Sequence, residues 1–436
     1  MQTDRSLVIC APTGCGKTAI LQFALIRLIE TFEANFTSLY LAPIKSLCAE
    51  KHSEWSNKFK KFKLKTLSLT GDSSEDDILS VNEANIIIST PEKWDSVTRR
   101  MTSNSLLFQR LKLVMIDEIH TLGDNDRGAV LEVVITRMKM LSRSCRFVAI
   151  SATIPNLHDI SKWLTDNAPT HSESVFSFDE SFRPVPLKKI VIGFPCPNQW
   201  SDFRFEMSLN YKLPELIVKH SEGKPALVFC GTRKSTMQAA VILFERLPKP
   251  KGNSSQLPME LVNQLRDSKL REMIERRIAF HHAGLDVNDR RIVEFLFRRS
   301  CITVMTSTST LSMGINLPAH LVVIKSTSYS VAGGSHEYSQ AQLLQMIGRA
   351  GRPQFDTSAT VIIMTKECDQ RKYFNIVDGL ESVQSRLQPT LLEHLNAEIV
   401  LGTVKDFNSA FNWFKSTYLF IRMLVDPKSF GNFLIS

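Results

Sequence analysis

Short runs of apolar and β-branched residues at 7–10, 38–42, 85–90, 113–117 and 147–151 alternate with longer stretches whose apolar positions recur at helical spacing. Strands separated by helix-length segments predict βαβ units, because parallel neighbours need a crossover connection to re-enter the sheet from the same end. Between about 168 and 197 the rhythm is broken by Pro169, Pro184, Pro186, Pro195 and Pro197, and it restarts at 226–230, 302–306, 321–325 and 360–364. The pattern is that of an α/β chain with two parallel-sheet domains joined by a proline-bearing connector.

Beyond about residue 378 the strand runs stop. Leu391, Leu392, Leu395 and Ile399 share one helix face closed by Gly402, and Asp406 is placed to cap a second helix carrying Phe407, Ala410, Phe411, Phe414, Tyr418 and Ile421. The expected division is therefore 1–180, 181–378 and a smaller helical unit at 379–436, in keeping with 436 residues at ~150 per domain. No internal repeat of 20 to 50 residues is visible, and 248–258, rich in Gly, Asn, Ser and Pro, is expected to be a mobile surface loop.

Fifty-three Lys and Arg against forty-four Asp and Glu leave a net charge of +9, which favours a polyanionic partner, nucleic acid or a membrane surface. No run approaches the ~18 apolar residues of a bilayer span, and the start of the chain lacks the basic-then-apolar pattern of a signal peptide. The eight cysteines include no C-x-x-C pair, so they are expected to be reduced thiols in an intracellular protein rather than a metal or disulfide framework.

Directly after the first strand run stands Ala11-Pro12-Thr13-Gly14-Cys15-Gly16-Lys17-Thr18, followed by a helical segment at 19–30. Glycines in such a turn let successive backbone N–H groups face phosphate oxygens without a Cβ in the way, and the helix N-terminus adds positive potential. Lys17 then reaches the β and γ phosphates, and the Thr18 hydroxyl holds Mg²⁺. The second element is an apolar run ending in Asp117-Glu118-Ile119-His120. A carboxylate at a buried strand end needs a cation, so Asp117 is expected to hold the metal and Glu118 to orient and deprotonate the attacking water. The third is Gln345-Met346-Ile347-Gly348-Arg349-Ala350-Gly351-Arg352-Pro353 in the second α/β half. Arg349 and Arg352, three apart, are expected on one helix face with guanidinium groups suited to a γ-phosphate, and Gln345 is placed to sense that phosphate or the water. Such arginines are worth ~10³ to 10⁵ in phosphoryl-transfer rate, so hydrolysis would require the two domains to close.

These segments, with Ser151-Ala152-Thr153 and in this order, resemble the superfamily 2 DExH-box helicases. Within them, 38–49 (S-L-Y-L-A-P-I-K-S-L-C-A), 89–94 (S-T-P-E-K-W), His281-His282-Ala283-Gly284, 306–318 (T-S-T-S-T-L-S-M-G-I-N-L-P) and 348–356 (G-R-A-G-R-P-Q-F-D) are similar to the Ski-type branch. P-E-K-W-D-S-V-T-R, V-I-G-F-P-C from Val191 and P-A-H-L-V-V-I-K-S-T from Pro318 most resemble its meiotic crossover-promoting DNA helicases. The likeness runs from Ser6 to about Phe433.

The resemblance implies two RecA-like motor domains and a winged-helix-like unit at 391–433. It implies an ATP- and Mg²⁺-dependent motor moving 3′ to 5′ on a single strand, acting in the nucleus on single-stranded and branched DNA of recombination, with no membrane partner. It adds Gly314 and Asn316 to the nucleotide-binding residues and makes Ser151 and Thr153 the coupling between hydrolysis and strand grip. Strand contacts would fall on Pro43, Lys45, Thr70, Gly71, Asp72, Thr90, Pro91, Cys230, Gly231, Thr232, Arg233, Thr306 and Thr308, small hydroxyl residues, amides and single cations suited to phosphates rather than bases. It also makes 326–338 a strand-separating hairpin. Turning at Gly333-Gly334, the hairpin would set Tyr329 opposite Tyr338 and Val331 opposite His336. The lysine run at 58–65, with Phe59 and Phe62 interleaved, is instead read as a solvated face whose phenylalanines pack on the sheet. His281 and His282 lack metal-ligand companions and belong to the motif.

Two departures qualify the likeness. Sixteen residues precede Lys17, leaving no room for the family's adenine-contacting segment, and no helical ratchet domain follows the third unit, so a partial gene product is expected. The alternatives are an RNA helicase of the same branch, since backbone grip does not reveal whether a 2′-OH is tolerated, and a nucleic-acid clamp that binds without productive unwinding.

Overall fold

The computed structural model describes residues 4–74, 79–101, 105–142, 144–165, 174–248, 257–311, 317–331 and 334–431. The chain forms two compact units: Met1–Phe182 together with Glu381–Ser436, and Arg183–Leu380.

The first unit carries strands β1 (Leu7–Cys10), β2 (Thr37–Leu41), β3 (Thr66–Leu69), β4 (Ile86–Ser89), β5 (Leu111–Ile116), β6 (Arg146–Ser151) and β7 (Val175–Ser177) in one all-parallel sheet, order β3-β4-β2-β5-β6-β1-β7. Successive side chains point to opposite faces, and helices cover both. Thus Leu7 and Ile9 pack with Leu21, Leu25 and Trp55 from the helices Lys17–Phe32 and Lys45–Phe59. Val8 and Cys10 pack with Trp94, Leu131, Val134 and Trp163 from Pro91–Thr98, Gly128–Leu141 and Leu157–Leu164.

The second unit carries β8 (Leu187–Phe194), β9 (Ala226–Cys230), β10 (Ile278–His281), β11 (Val304–Thr308), β12 (Leu321–Ile324), a two-stranded ribbon of β13 (Ser328–Val331) and β14 (Gly334–Glu337), and β15 (Ala359–Lys366). Its main sheet is all-parallel in the order β10-β11-β9-β12-β15-β8.

All nine strand runs expected from the sequence are interior strands of these sheets; β3, β7, β8 and β10, the four edges, were not foreseen. Interior parallel strands read as unbroken apolar runs because both faces are buried. The edges do not: β8 is only half-buried, with Lys188 and Lys189 in it and Pro184 and Pro186 just before it, and it lies inside what the sequence presents as connector.

The third segment folds onto the first unit through the helix Gly128–Leu141. Ala129 and Val133 share a small core with Leu387, Val404, Trp413, Leu419 and Met423. Glu132, fully buried, accepts hydrogen bonds from the Ser385 hydroxyl (2.6 Å) and the Leu419 N–H (2.7 Å). Arg137, also buried, donates to Glu398 (2.8 Å), Asp95 (2.8 Å) and the Thr98 hydroxyl (2.8 Å). Two details correct the sequence reading. The helix Leu391–Val400 buries His394 and Glu398 and leaves Leu392 and Ile399 exposed, because Arg99 and Arg137 offer its polar face partners. The helix capped by Asp406 ends at Lys415, and the Thr417 hydroxyl caps a separate helix, Tyr418–Val425, by accepting from Phe420 N–H (3.2 Å). Among the described residues no helix is long and apolar enough to cross a membrane.

Arg137→Ala is expected to strand the buried Glu398 carboxylate, while Asp95 keeps Arg99 at 2.8 Å, and cost about 3–5 kcal/mol in urea denaturation. Burial pushes the Glu132 carboxyl up to about 7 against its two donors. Its protonated form therefore contributes fully below its ordinary value of 4.5, and that contribution is lost as pH rises through 7. Thermal midpoints should fall as pH rises from about 4.5 to about 7 and level off above that, and less so in Glu132→Gln.

Candidate nucleotide and strand site

In parallel sheets of this kind, ligands gather at the carboxyl ends of the strands. The loop after β1 has Gly14 and Gly16 at φ 90° and 79°, a left-handed geometry that disfavours other residues, and the space beside both is open. Gly16 is the N-cap of the helix Lys17–Phe32. The Lys17 ammonium, buried, donates to the Ala11 carbonyl at 2.8 Å, folding the side chain back over residues 11–16. Thr13, Cys15 and Thr18 are half-buried and Pro12 is buried. An open cradle, a lysine held within it and a threonine at the first turn fit a triphosphate.

Asp117 follows β5 and is buried; its Oδ2 accepts from the Tyr40 hydroxyl at 2.5 Å. Burial, with Glu118 beside it, pushes its carboxyl up to about 6 despite Tyr40 and Lys17. A carboxylate so short of positive charge fits a divalent cation. Glu118 sits at φ 52°, a strained left-handed turn that carries the following residues back beneath the sheet end. There His120, kept neutral by burial and Lys17 with its pKa down at about 3, accepts the Ala152 N–H on Nδ1 (3.3 Å), with Ser151 Oγ 3.5 Å away. That fixes the proton on Nε2 and ties the loop after β5 to the one after β6, which ends in half-buried Thr153. Sequence reasoning gave no role to His120 or Tyr40. His120 was visible as the last letter of the acidic motif, whereas Tyr40 looks like any strand residue.

The expected strand-contact residues of this unit converge on three neighbouring strand ends. The Arg127 guanidinium donates to the Pro43 carbonyl and lies 3.6 Å from Glu92, an arrangement without a sequence signal. Lys45 pairs with Asp72 (2.9 Å), and a Cβ on Gly71 would meet its Nζ at 3.0 Å. The Ser73 hydroxyl accepts the Thr70 N–H (2.9 Å), and Thr90 caps the helix that opens at Pro91.

In the second unit the loop after β9 is held from inside. Glu206 accepts from the Gly231 N–H (3.0 Å) and the Ser235 hydroxyl (2.6 Å). The ammonium of Lys325, fully buried, donates to Asn210 (2.6 Å) and Ser235 (2.6 Å) and lies 3.5 Å from Glu206. Thr232 caps the helix Arg233–Arg246. A Cβ at Gly231 would meet the Ser328 carbonyl at 2.5 Å, so this loop and the root of the β13–β14 ribbon are packed as one piece. Thr308 is half-buried at the end of β11, but Thr306 is wholly buried with its hydroxyl on the Thr236 carbonyl (2.9 Å). It is a core residue here, in correction of the expected strand contact. Gly314 and Asn316 lie outside the described residues.

Arg349 and Arg352 do not share a helix face. The helix Gln340–Ile347 ends before them, and Gly351 at φ 95° turns the chain. Arg352 is clamped within its own unit, Nε and Nη2 on Asp356 (2.9 and 3.0 Å) and Nη1 on the Ser300 hydroxyl (3.0 Å). Gln345, on the helix, keeps a buried Oε1 without a protein donor among the described residues. The ribbon register also differs from expectation: Tyr329 stands opposite His336, and Val331 opposite Gly334. Polar two-stranded ribbons specify register weakly, and Tyr329 still stacks on Tyr338, but diagonally, with ring centres 5.0 Å apart. Tyr338 is buried, His336 exposed, and the Val331 side chain lies outside what the structure describes.

Gly231→Ala is expected to force the loop off Ser328 and cost about 1–3 kcal/mol in urea denaturation; an unchanged midpoint would show that the contact relaxes freely.

Comparison with known proteins agrees with this geometry. Residues 1–160 match the DEAD/DEAH box helicase family, 209–354 the helicase conserved C-terminal domain, and 384–433 a winged helix-turn-helix domain. The chain is 45% identical over 99% of its length to the probable ATP-dependent DNA helicase HFM1 of Xenopus tropicalis, covering 33% of that protein. It is 41% identical over 98% to the ATP-dependent DNA helicase MER3 of Saccharomyces cerevisiae, covering 36%. To the DExH-box ATP-dependent RNA helicase DExH14 of Arabidopsis thaliana it is 36% identical over 98%, covering 20%. The chain thus spans about a third of the length of the DNA helicases it matches. With Asp117-Glu118-Ile119-His120 closing β5 and both helicase domains matched in order, the chain belongs to the DExH-box helicases of superfamily 2, on their Ski-type branch.

Proposed function

We propose that this chain is the motor of an ATP-dependent DNA helicase that moves 3′ to 5′ on a single strand and opens duplex or branched intermediates of meiotic recombination in the nucleus. The observation that carries the reading is the placement of the nucleotide loop, acidic motif and grip loops on the carboxyl ends of parallel strands, in a chain 45% identical to a probable ATP-dependent DNA helicase. Lys17 neutralises the β and γ phosphates as it leaves the Ala11 carbonyl. Thr18 and Asp117 would hold Mg²⁺, which when bound would offset phosphate charge and favour the ionised form of Asp117. Glu118 takes the proton from the attacking water. Through His120 the turn that carries Glu118 is tied to Ser151 and Ala152, so a shift at the acidic motif is passed to the coupling segment that continues to Thr153.

On the second unit, Arg349 and Gln345 serve the γ-phosphate, while Arg352, spent on Asp356 and Ser300, shapes the turn that presents Arg349. Pro43, Lys45, Thr70, Gly71, Thr90 and Pro91 on one unit, and Gly231, Thr232 and Thr308 on the other, grip the strand backbone. Tyr329, His336 and Tyr338 build the ribbon that parts the duplex.

Strand displacement on 3′- and 5′-tailed DNA and RNA duplexes, with and without ATP, tests the reading: ATP-dependent opening of 3′-tailed DNA is expected. Opening of RNA alone would move the substrate to RNA, and binding without opening would leave a clamp. Glu118→Gln should retain ATP binding while turnover falls by about 10² to 10⁴-fold, and Lys17→Ala should abolish turnover yet keep most strand binding. Normal hydrolysis by Glu118→Gln would remove Glu118 from its assigned role.

A further inference from the structure

The helices Asp202–Leu209, Arg233–Arg246 and Ser268–Glu275 of the second unit enclose a groove of about 600 Å³ that none of the motifs above uses. Its floor is built on Met207, Met237 and Met273, and its cations are Arg204, Lys234 and Lys269, all exposed. Among the described residues no carboxylate lines it; Asp202, Glu206, Glu245, Glu272 and Glu275 belong to the same helices but stand outside the lining. We propose that this groove docks an acidic amphipathic segment of a partner protein, apolar side chains on the methionine floor and carboxylates among the three cations.

Three observations select a peptide over a nucleic-acid strand, the other anion such a face attracts. Stacking a base needs an open ring, yet each aromatic ring of the lining already has a resident on it: Arg204 on Trp200 at 4.8 Å, Arg246 on Tyr211 at 4.9 Å and His282 on Phe280 at 5.6 Å. Thioether side chains are unbranched and polarisable, and they mould to aliphatic or aromatic anchors from another chain. Finally, Gln238 in the lining has a buried Oε1 with no donor among the described residues, and a peptide N–H supplies one where a phosphate cannot.

The test is selection from a random twelve-residue peptide display library on the whole chain, with anisotropy titration of the enriched peptides. Enriched sequences should combine Leu, Ile or Phe with Asp or Glu. Their binding should weaken at least tenfold in Arg204→Glu/Lys269→Glu, two exposed positions whose reversal leaves the thermal midpoint and ATP hydrolysis unchanged. Met237→Gln should weaken binding with the cations intact. The proposal is overturned if no acidic apolar sequence is enriched, or if binding survives both variants. It is equally overturned if a dT20 oligonucleotide displaces the peptides and itself loses binding in Arg204→Glu/Lys269→Glu, which would make the groove a nucleic-acid surface.

Discussion

Parallel pairing is the constraint on which the rest of the molecule depends. A strand that must lie parallel to its neighbour obliges the chain to cross back over the sheet, and the covering helices bury both faces. Every such crossover leaves from the carboxyl end of a strand, so the loops that follow β1, β2, β3, β4, β5 and β6 collect on one rim of the first sheet, and those after β9 and β11 on one rim of the second. What differs from loop to loop is a few residues: two left-handed glycines after β1, a buried carboxylate and a strained glutamate after β5, a helix cap after β4 and β9.

How much of this was legible in the sequence follows from burial. Interior strands are mostly apolar because both faces are covered, and they could be read directly. The edge strands could not: β8 carries lysines and follows prolines, since one side of an edge has no neighbour to demand otherwise. The motif loops were legible as strings of residue types, and the structure puts most of them at strand ends. Side-chain commitments were not. Thr306 lies in a stretch of threonines and serines that looks like a polar contact loop, yet pleat alternation turns its hydroxyl into the core. Arg352 looks like a second cationic finger until Asp356, four residues on, takes its Nε and Nη2 and Ser300 takes its Nη1.

Buried charge gives the same lesson at longer range. Arg137 with Glu398, Glu132 with Ser385, and Lys325 with Glu206 each join residues more than a hundred positions apart, and nothing in the local pattern of either partner announces the other. Each pairing answers a cost: a charged or polar group cannot be left in an apolar interior without a partner. Hence the helix Leu391–Val400 leaves Leu392 and Ile399 in solvent and buries His394 and Glu398, the residues for which the first unit holds cations.

The split of the first unit into two pieces of sequence bears on how the molecule comes into being. Glu132 leaves the ribosome some 250 residues ahead of Ser385, and Arg137 about as far ahead of Glu398. During that interval the helix Gly128–Leu141 shows solvent the surface it later buries, with Arg137 held by Asp95 and Thr98 but not yet by Glu398, while the whole second unit is being made. Closing so long a loop costs little more in entropy than closing a short one, so the final docking is thermodynamically undemanding. It is late, however, and the nascent chain depends throughout that wait on the second unit folding by itself rather than on the exposed helix.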